Sequence, residues 1–393
     1  MNILIVQDGP DAIGGIQTLV SRFSSWLVRE GHKPTLLVRS AVTWRCLLHP
    51  EVNLIEIGDR MDDAYLPWRG RSVSGACDLL KIDSVIHMEF QTAVVSSNLF
   101  DYAAGYPSVV IGNFMPDFPG NANWRLSGLM WRLKKCYYSR VVLNSQKLFM
   151  SNSQLLNLRR CFGARLDGSV LPLAVDIRKF SHVMRNPVPG RIVTVCRLDP
   201  MKRYVIPLVH AMKKLRDGGF YFSLDIYGVG PMREEIETEI EANGLQEFVV
   251  LKGHLEYRNF SEVMSSAFAF VGMGTTIVEA AACGVPAILA IAHDASGRSP
   301  GFLGDCIQSD LGDSISVSST SSFERIIREL AELPEVDYNV LENEMRRRAT
   351  RYDCEVVFPN WLKIASKSKS RAGGFILRYA ISLTQMLIKL RNI

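Results

Sequence analysis

"VGMGTTIVEAAACGVPAILA" fills residues 271–290, and from Ser265 to Ala292 its Glu279 is the only charged residue. The run is long enough to suggest a membrane span. Gly272, Gly274, Gly284 and Pro286 instead cut it into strand-sized pieces, "AFAFV" and "AILAI", around a short helix. The unit is therefore strand, glycine turn, helix, strand, which predicts a parallel α/β sheet. Within it Glu279 has two readings. "TIVE" from Thr276 fits a capping box, with the glutamate reaching back to the start of its helix. Alternatively the carboxylate meets a ligand, because a helix start directs free N–H groups and a positive dipole end at whatever lies before it. Gly272 and Gly274 allow such a ligand close to the backbone.

The same pattern extends in both directions. "RIVTV" (191–195), "FSLDI" (222–226), "FVVL" (248–251), "FAFV" (268–271) and "AILAI" (287–291) are strand-like, with helical stretches between them. Before them lies "RNPVPG" (185–190), whose two prolines and glycine predict a linker. Earlier still, "ILIV", "TLLV", "SVIHM" (84–88), "SVVIGNF" (108–114) and "RVVLNS" (140–145) read as strands. Ile16, Leu19, Val20, Phe23, Trp26 and Leu27 share one helical face. With 393 residues the chain is too long for one core. The expected organisation is a Rossmann-like domain at 1–180, a linker at 181–190, a second Rossmann-like domain at 191–355 and a basic helical tail at 356–393. Two doubly wound domains in tandem imply a cleft bordered by their strand-end loops.

Composition narrows the class. Hydrophobic residues at 47% and charged residues at 22% are those of a globular protein. The eight cysteines are scattered with no CxxC pair, so reduced thiols in a cytosol and no structural zinc are expected. The start, "MNILIVQDGP", meets an acid after one strand's worth of apolar residues and does not read as a signal peptide.

Three further elements carry chemistry. "CRLDPMKR" places Arg197 and Lys202 just past a strand, a fork and a point charge suited to a diphosphate. A pair of solvated surface charges is the plainer reading. "IYGVGP" (226–231) joins a strand to a helix through Gly228 and Gly230, with Pro231 at the first helical position. The complete G-x-G-x-x-G of nicotinamide enzymes is absent. Gly14 and Gly15 stand between the first strand and its helix.

Together, in this order and spacing, these elements resemble glycosyltransferase family 4, the retaining GT-B enzymes that use nucleotide-sugar donors. The resemblance covers roughly residues 1–365. It is strongest in "GRIVTVCRLDPMKR", "LDIYGVGP", "VVLKGHL" and "VGMGTTIVEAAACGVPAI", with "PLAVDIRKF" (172–180) similar to the family's hinge segment. The resemblance implies that Arg197 and Lys202 hold the donor diphosphate and that Glu279 holds the ribose. It implies that the Gly274, Thr275 and Thr276 amides meet phosphate, with Gly228 and Gly253 completing the donor seat and Gly14 and Gly15 approaching from the first domain. A UDP- or GDP-sugar is the implied co-substrate, with no other cofactor and no metal. The family's first glutamate, eight residues before the second, is here Val271. Its N-terminal-domain histidine aligns with Asn113, and His87 and Glu89 on a neighbouring strand end are the other candidates.

Charge is unevenly placed. Nine basic residues and no acid lie between Phe118 and Leu166, and seven more with no acid follow Val356. These sixteen, set against a net +5, leave the rest of the chain at −11. The segments Trp124–Arg140 and Phe375–Leu390 add aromatic and apolar residues to the cations, which suits an anionic membrane surface. In the tail, Arg378, Ser382, Gln385 and Lys389 form a polar strip, and Tyr379, Leu383 and Leu390 lie on the apolar side. A terminal helix packed on the protein explains the same pattern. No nucleic-acid motif accompanies either segment. The expected protein transfers a sugar to a lipid-linked glycan at the cytosolic face of the cell membrane, in capsule or lipopolysaccharide synthesis. A sugar-nucleotide epimerase and a catalytically silent GT-B subunit are the alternatives.

Overall fold

The computed structural model describes residues 1–9, 11, 14–66, 69–70, 73, 75, 81–100, 107–114, 126–305, 310–312, 320–367, 376 and 379–384. The chain forms two compact units, one of residues 1–173 with 357–393, the other of residues 174–356.

In the first unit, β1 (Asn2–Gln7), β2 (Lys33–Val38), β3 (Asn53–Glu56), β4 (Ser84–His87), β5 (Ser108–Asn113), β6 (Lys147–Phe149) and β7 (Ser169–Val170) form one parallel sheet. Its order is β3-β2-β1-β4-β5-β6-β7. Successive strands are added on one side of β1 up to β3 and on the other from β4 onward, so this is a doubly wound sheet with a switch point between β1 and β4. The helix Gly15–Arg29 buries Leu19, Val20, Phe23, Trp26 and Leu27, the face expected from their spacing. Phe358 and Trp361 pack on it, with ring centroids 4.9 and 5.3 Å from Phe23. Trp361 also stacks on Phe114 at 4.6 Å. Part of the expected tail thus supplies core to this unit.

The second unit repeats the plan. β8 (Arg191–Val195), β9 (Ser223–Tyr227), β10 (Val249–Gly253), β11 (Ala269–Gly272) and β12 (Ala287–Leu289) are parallel, in the order β10-β9-β8-β11-β12. A short antiparallel pair, β13 (Arg298–Ser299) and β14 (Ser321–Ser322), lies apart from that sheet. All of β11 and β12 is buried. Strands of a parallel sheet covered on both faces read as unbroken apolar runs, which explains the membrane-like stretch at 265–292. Among the described residues no helix is long and apolar enough to cross a membrane.

Three expectations need correction. "RVVLNS" is not a strand: the helix Leu126–Arg140 runs into it, and the amides of Val141 and Val142 both donate to the Tyr137 carbonyl. The strand comes later, at Lys147–Phe149, after Gln146 accepts from the Leu143 amide. β-branched residues here close a helix against the core instead of opening a strand. "RNPVPG" is not a free linker. The amides of Asn186 and Val188 donate to the Ser265 and Ser266 carbonyls, and Arg185 pairs at 3.0 Å with Glu342, both largely buried. Removing one partner of such a pair leaves a buried charge uncompensated. In the tail, residues 379–384 are helical but inverted relative to the expected amphipathic strip. Ser382 is fully buried and its hydroxyl donates to the Tyr65 carbonyl at 2.8 Å, whereas Leu383 is half exposed. Of the expected segment Phe375–Leu390, residues 375, 377–378 and 385–390 lie outside the described residues, as do Trp124 and Arg125 of the other segment. In the helix Leu126–Arg140, Tyr137 and Tyr138 are core residues, and Trp131 meets Phe162 and the Lys135 ammonium. Its aromatic side chains turn inward, not toward a lipid surface.

Candidate functional site

In the second unit the switch point lies between β8 and β11, and two of the sequence elements meet there. β8 ends in the turn that carries Arg197 and Lys202. β11 ends at Gly272, and Gly274, two residues on, precedes the helix Thr275–Ala282. Gly274 has φ +73°, a left-handed conformation open to glycine, and a Cβ there would meet nothing within 4 Å. Its amide donates to the Leu311 carbonyl at 2.8 Å, so it is engaged inside the unit and is not a phosphate donor. The amides of Thr275, Thr276 and Ile277 belong to the first turn, where a helix offers no internal acceptor. They form the anion-directed end of this helix.

The capping box is not formed as expected. Gly274 is the N-cap with no side-chain cap, and the Thr276 hydroxyl donates back to the Met273 carbonyl at 3.1 Å. Glu279 is 2% exposed, and its Oε1 accepts from the Tyr257 hydroxyl at 3.2 Å. Tyr257 was not singled out in the sequence, where "EYRN" reads as loop. Val271, at the position of the family's first glutamate, has a fully buried side chain in the hydrophobic core of the unit. No carboxylate is offered there.

The Arg197 turn is held by backbone. The amides of Cys196 and Leu198 donate to the Tyr227 and Val229 carbonyls, and the Met232 amide donates to Leu198. A Cβ on Gly228 would run into the Cys196 carbonyl oxygen, and one on Gly230 into that of Leu198. The Gly-x-Gly turn after β9 is therefore required by close backbone approach to the turn beside it, and Gly228 positions Arg197. Gly253, at φ +74°, lends its carbonyl to the Gly228 amide at 2.7 Å. Arg197 is 67% exposed by side chain, with one contact of 3.2 Å from its Nη2 to Asp199. Asp199 also accepts from the Met201 amide at 3.1 Å, which fixes the turn. Lys202 is half-buried. His293 latches the loop after β12 to this turn: its amide donates to the Met201 carbonyl at 2.9 Å. Its φ of 60° makes it the one non-glycine residue in the left-handed region among those described. "AIAHDASG" gives little warning of this beyond histidine's tolerance of that conformation.

In the first unit the switch point lies between β1 and β4, and its chemistry differs. Gly14 caps the helix Gly15–Arg29 in extended conformation, and Gly15 would meet nothing with a Cβ. His87 is fully buried, with Nδ1 bonded to the Thr92 hydroxyl at 2.8 Å and Nε2 to the Ser96 hydroxyl. Burial lowers its pKa to about 3. With both nitrogens occupied, this histidine holds the structure together and has no nitrogen left for a ligand. Glu89 differs. It is 6% exposed, and burial, then the nearby Asp8, raise its pKa to about 7 against the pull of Lys134. Asp8 accepts from Arg39 Nε at 2.9 Å and from the Tyr65 hydroxyl at 3.1 Å, and Arg39 also reaches Asp62. The Lys134 ammonium lies 4.2 Å from the centre of the Tyr65 ring, and burial lowers its pKa to about 8. Asn113 ends β5, is 2% exposed and, among the described residues, leaves Nδ2 without a partner. Among the described residues no cluster of histidine, cysteine and acids could hold a metal ion.

Comparison with known proteins places this arrangement. Residues 181–297 match the family model described as glycosyl transferases group 1. A colanic acid biosynthesis glycosyltransferase assignment belongs to WcaL of Escherichia coli strain K12, which is 25% identical over 177 residues, 38% of this chain and 43% of that one. The match thus spans less than half of that relative. A glycosyltransferase from Rickettsia africae superposes with a TM-score of 0.68 at 14% identity, covering 93% of this chain and 98% of that chain. HepE from Anabaena, solved with UDP-glucose, superposes with a TM-score of 0.66 at 16% identity, over 92% of this chain and 98% of that chain. The two Rossmann-like α/β units have the GT-B fold, and residues 181–297 are similar in sequence to the glycosyl transferases of group 1.

Proposed function

We propose that the protein transfers a sugar from a nucleoside-diphosphate sugar to a hydroxyl of a glycan acceptor, with retention at the anomeric carbon, as members of glycosyltransferase family 4 do. The acceptor is a lipid-linked glycan of cell-surface polysaccharide synthesis. The observation that carries this reading is one pairing in the second unit. At the ends of the adjacent strands β8 and β11 stand the exposed Arg197 and a helix start with first-turn amides. Both suit a diphosphate, and stabilising charge as it develops on a leaving group is where such donors contribute most. Lys202 adds a second cation, and Glu279 accepts from the donor's sugar hydroxyls alongside Tyr257. UDP-glucose in the Anabaena structure and the polysaccharide assignment of WcaL support this choice of donor and setting. The exposed Arg132 and Arg140 of the helix Leu126–Arg140 carry the positive charge that an anionic membrane surface would meet.

Purified protein offered a panel of UDP- and GDP-sugars, with and without membrane extract, is expected to release nucleoside diphosphate only with extract. Arg197→Ala should lower that release about a hundredfold or more, and Glu279→Gln should raise the KM for the donor. Val271 favours a second reading, a catalytically silent GT-B subunit, because its buried methyl groups stand where a donor-sugar contact is expected. Nucleotide binding without release from any donor would select that reading.

A further inference from the structure

In the second unit the turn after β10 reaches across to Glu279. Tyr257 opens the short turn Tyr257–Asn259, and its hydroxyl donates to Glu279 Oε1 at 3.2 Å. A carboxylate offers about four acceptor positions over its two oxygens, and this bond takes one of them. The last torsion of a glutamate is broad and roughly two-fold, so a bond to one oxygen helps to set the plane of the pair. On the helix Thr275–Ala282, Glu279 follows Thr275 by four residues and Thr276 by three. Helical side chains lean toward the N-terminus of their helix. The carboxylate therefore leans toward the first turn, whose amides form the anion-directed end.

The tyrosine itself is framed by rings. Phe180 stands perpendicular to it, with ring centroids 6.0 Å apart, and meets Phe260 at 5.7 Å. Phe260 in turn meets Phe270 at 6.5 Å. Edge-to-face contacts at such separations are favourable and directional. The frame closes on itself. β11 carries Phe270 and leads through Gly274 into the helix of Glu279, while the rings lead from Phe270 back to the hydroxyl on Glu279. All of these residues belong to the second unit. Phe180, Phe260 and Phe270 are buried, whereas Tyr257 is 47% exposed. A half-exposed tyrosine adds little to the core, and its hydroxyl serves a buried carboxylate.

We infer that Tyr257 is a positioning residue for the donor: its hydroxyl fixes the plane of the Glu279 carboxylate for the two vicinal hydroxyls of the donor's ribose, and Phe180 fixes Tyr257. This rests on the donor reading above, in which Glu279 accepts from those hydroxyls. Tyr257 acts through Glu279 and need not touch the donor. A carboxylate that rotates meets a diol in the right plane only part of the time, and holding it there in advance lowers the cost of binding. Loss of the tyrosine hydroxyl therefore falls on recognition of the ribose. It does not fall on the diphosphate, which Arg197, Lys202 and the helix start receive.

The test is calorimetric binding of UDP and GDP, and of their dideoxyribose counterparts that lack both hydroxyls. The proteins are the wild-type chain, Tyr257→Phe, Glu279→Gln and the variant carrying both changes. Tyr257→Phe keeps the ring and removes only the hydroxyl. The wild-type chain should prefer the hydroxylated form of its better nucleotide by about tenfold or more. Tyr257→Phe should cut that preference about threefold or more and leave affinity for the dideoxy form unchanged, which a loosened site would not do. Glu279→Gln should cut it at least as far, and adding Tyr257→Phe should change nothing further. An unaltered preference in Tyr257→Phe, an equal loss for both forms, or a further loss in the double variant overturns the inference and leaves the transferase reading standing. So does a wild-type chain that binds both forms equally. A wild-type chain that binds neither UDP nor GDP overturns both.

Discussion

The two units share one strand order around their switch points and use it for opposite chemistry. In the second, the loops after β8 and β11 present cations and open amides: Arg197, Lys202 and the start of the helix Thr275–Ala282. In the first, the turns after β1 and β4 present acids: Asp8, held by Arg39, and Glu89, raised toward neutrality by burial. One arrangement suits an anion that must be held and neutralised. The other, crowded with carboxylates, does not. A doubly wound sheet therefore fixes where a ligand binds, and the few side chains beyond the strand ends fix what kind of ligand it is.

Two glycines, one in each unit, break this symmetry most sharply. Gly228 is pressed against the Cys196 carbonyl, whereas Gly15 faces open space in an ordinary helix. Gly228→Ala must push one backbone off another, and we expect it to destabilise the second unit by upwards of about 3 kcal/mol and to cost donor affinity through the displaced Arg197 turn. Gly15→Ala should change stability by less than about 1 kcal/mol. Urea unfolding of the two variants beside nucleotide titration checks both. Equal tolerance at the two positions would mean that the Gly-x-Gly turn does not set Arg197.

Most of the cationic site in the second unit was legible in the sequence, and most of the acidic site in the first was not. In the second unit the ligand elements are local: a strand, a glycine and a helix start lie within a few residues, so "VGMGTTIVE" and "CRLDPMKR" announce themselves. Its buried strands are short apolar runs bounded by glycine and proline, which makes them easy to place. The acids of the first unit, Asp8 and Glu89, come together through the pairing of strands about eighty residues apart, which no local pattern encodes. Lys134 reads as one more cation in "WRLKKCYYSR", and only the fold lays it over Tyr65. His87 drew attention because histidine often does chemistry, while its two hydroxyl partners, Thr92 and Ser96, carry no signal. "RVVLNS" misled because β-branched residues also close helices against a core.

The acid pair has a thermodynamic signature absent from the cationic site. Glu89 has its pKa raised from 4.5 to about 7 on folding, so the folded chain binds the extra proton between those values. Stability from this group is then full below about pH 4.5 and falls as pH rises toward 7. Glu89→Gln removes the buried charge, so it should stabilise the protein by on the order of 2 kcal/mol at pH 8 and by far less at pH 5. Thermal melts at the two values decide it, and a gain that does not depend on pH would mean Glu89 is not the group that titrates.

The smallest effect concerns where the first unit ends. Residues 379–384 were expected to offer Leu383 to an apolar surface and Ser382 to water, and the structure reverses the two. Ser382 is buried and donates to the carbonyl of Tyr65, whose hydroxyl donates to Asp8 beside Glu89. The tail thus backs the residue that braces the acid pair. Ser382→Ala removes one buried hydrogen bond and should cost about 1 kcal/mol. Leu383→Ser, at a half-exposed position, should cost less than about 0.5 kcal/mol. The reverse ranking, with Leu383→Ser the more damaging, would mean that the polar strip and not the buried serine faces water.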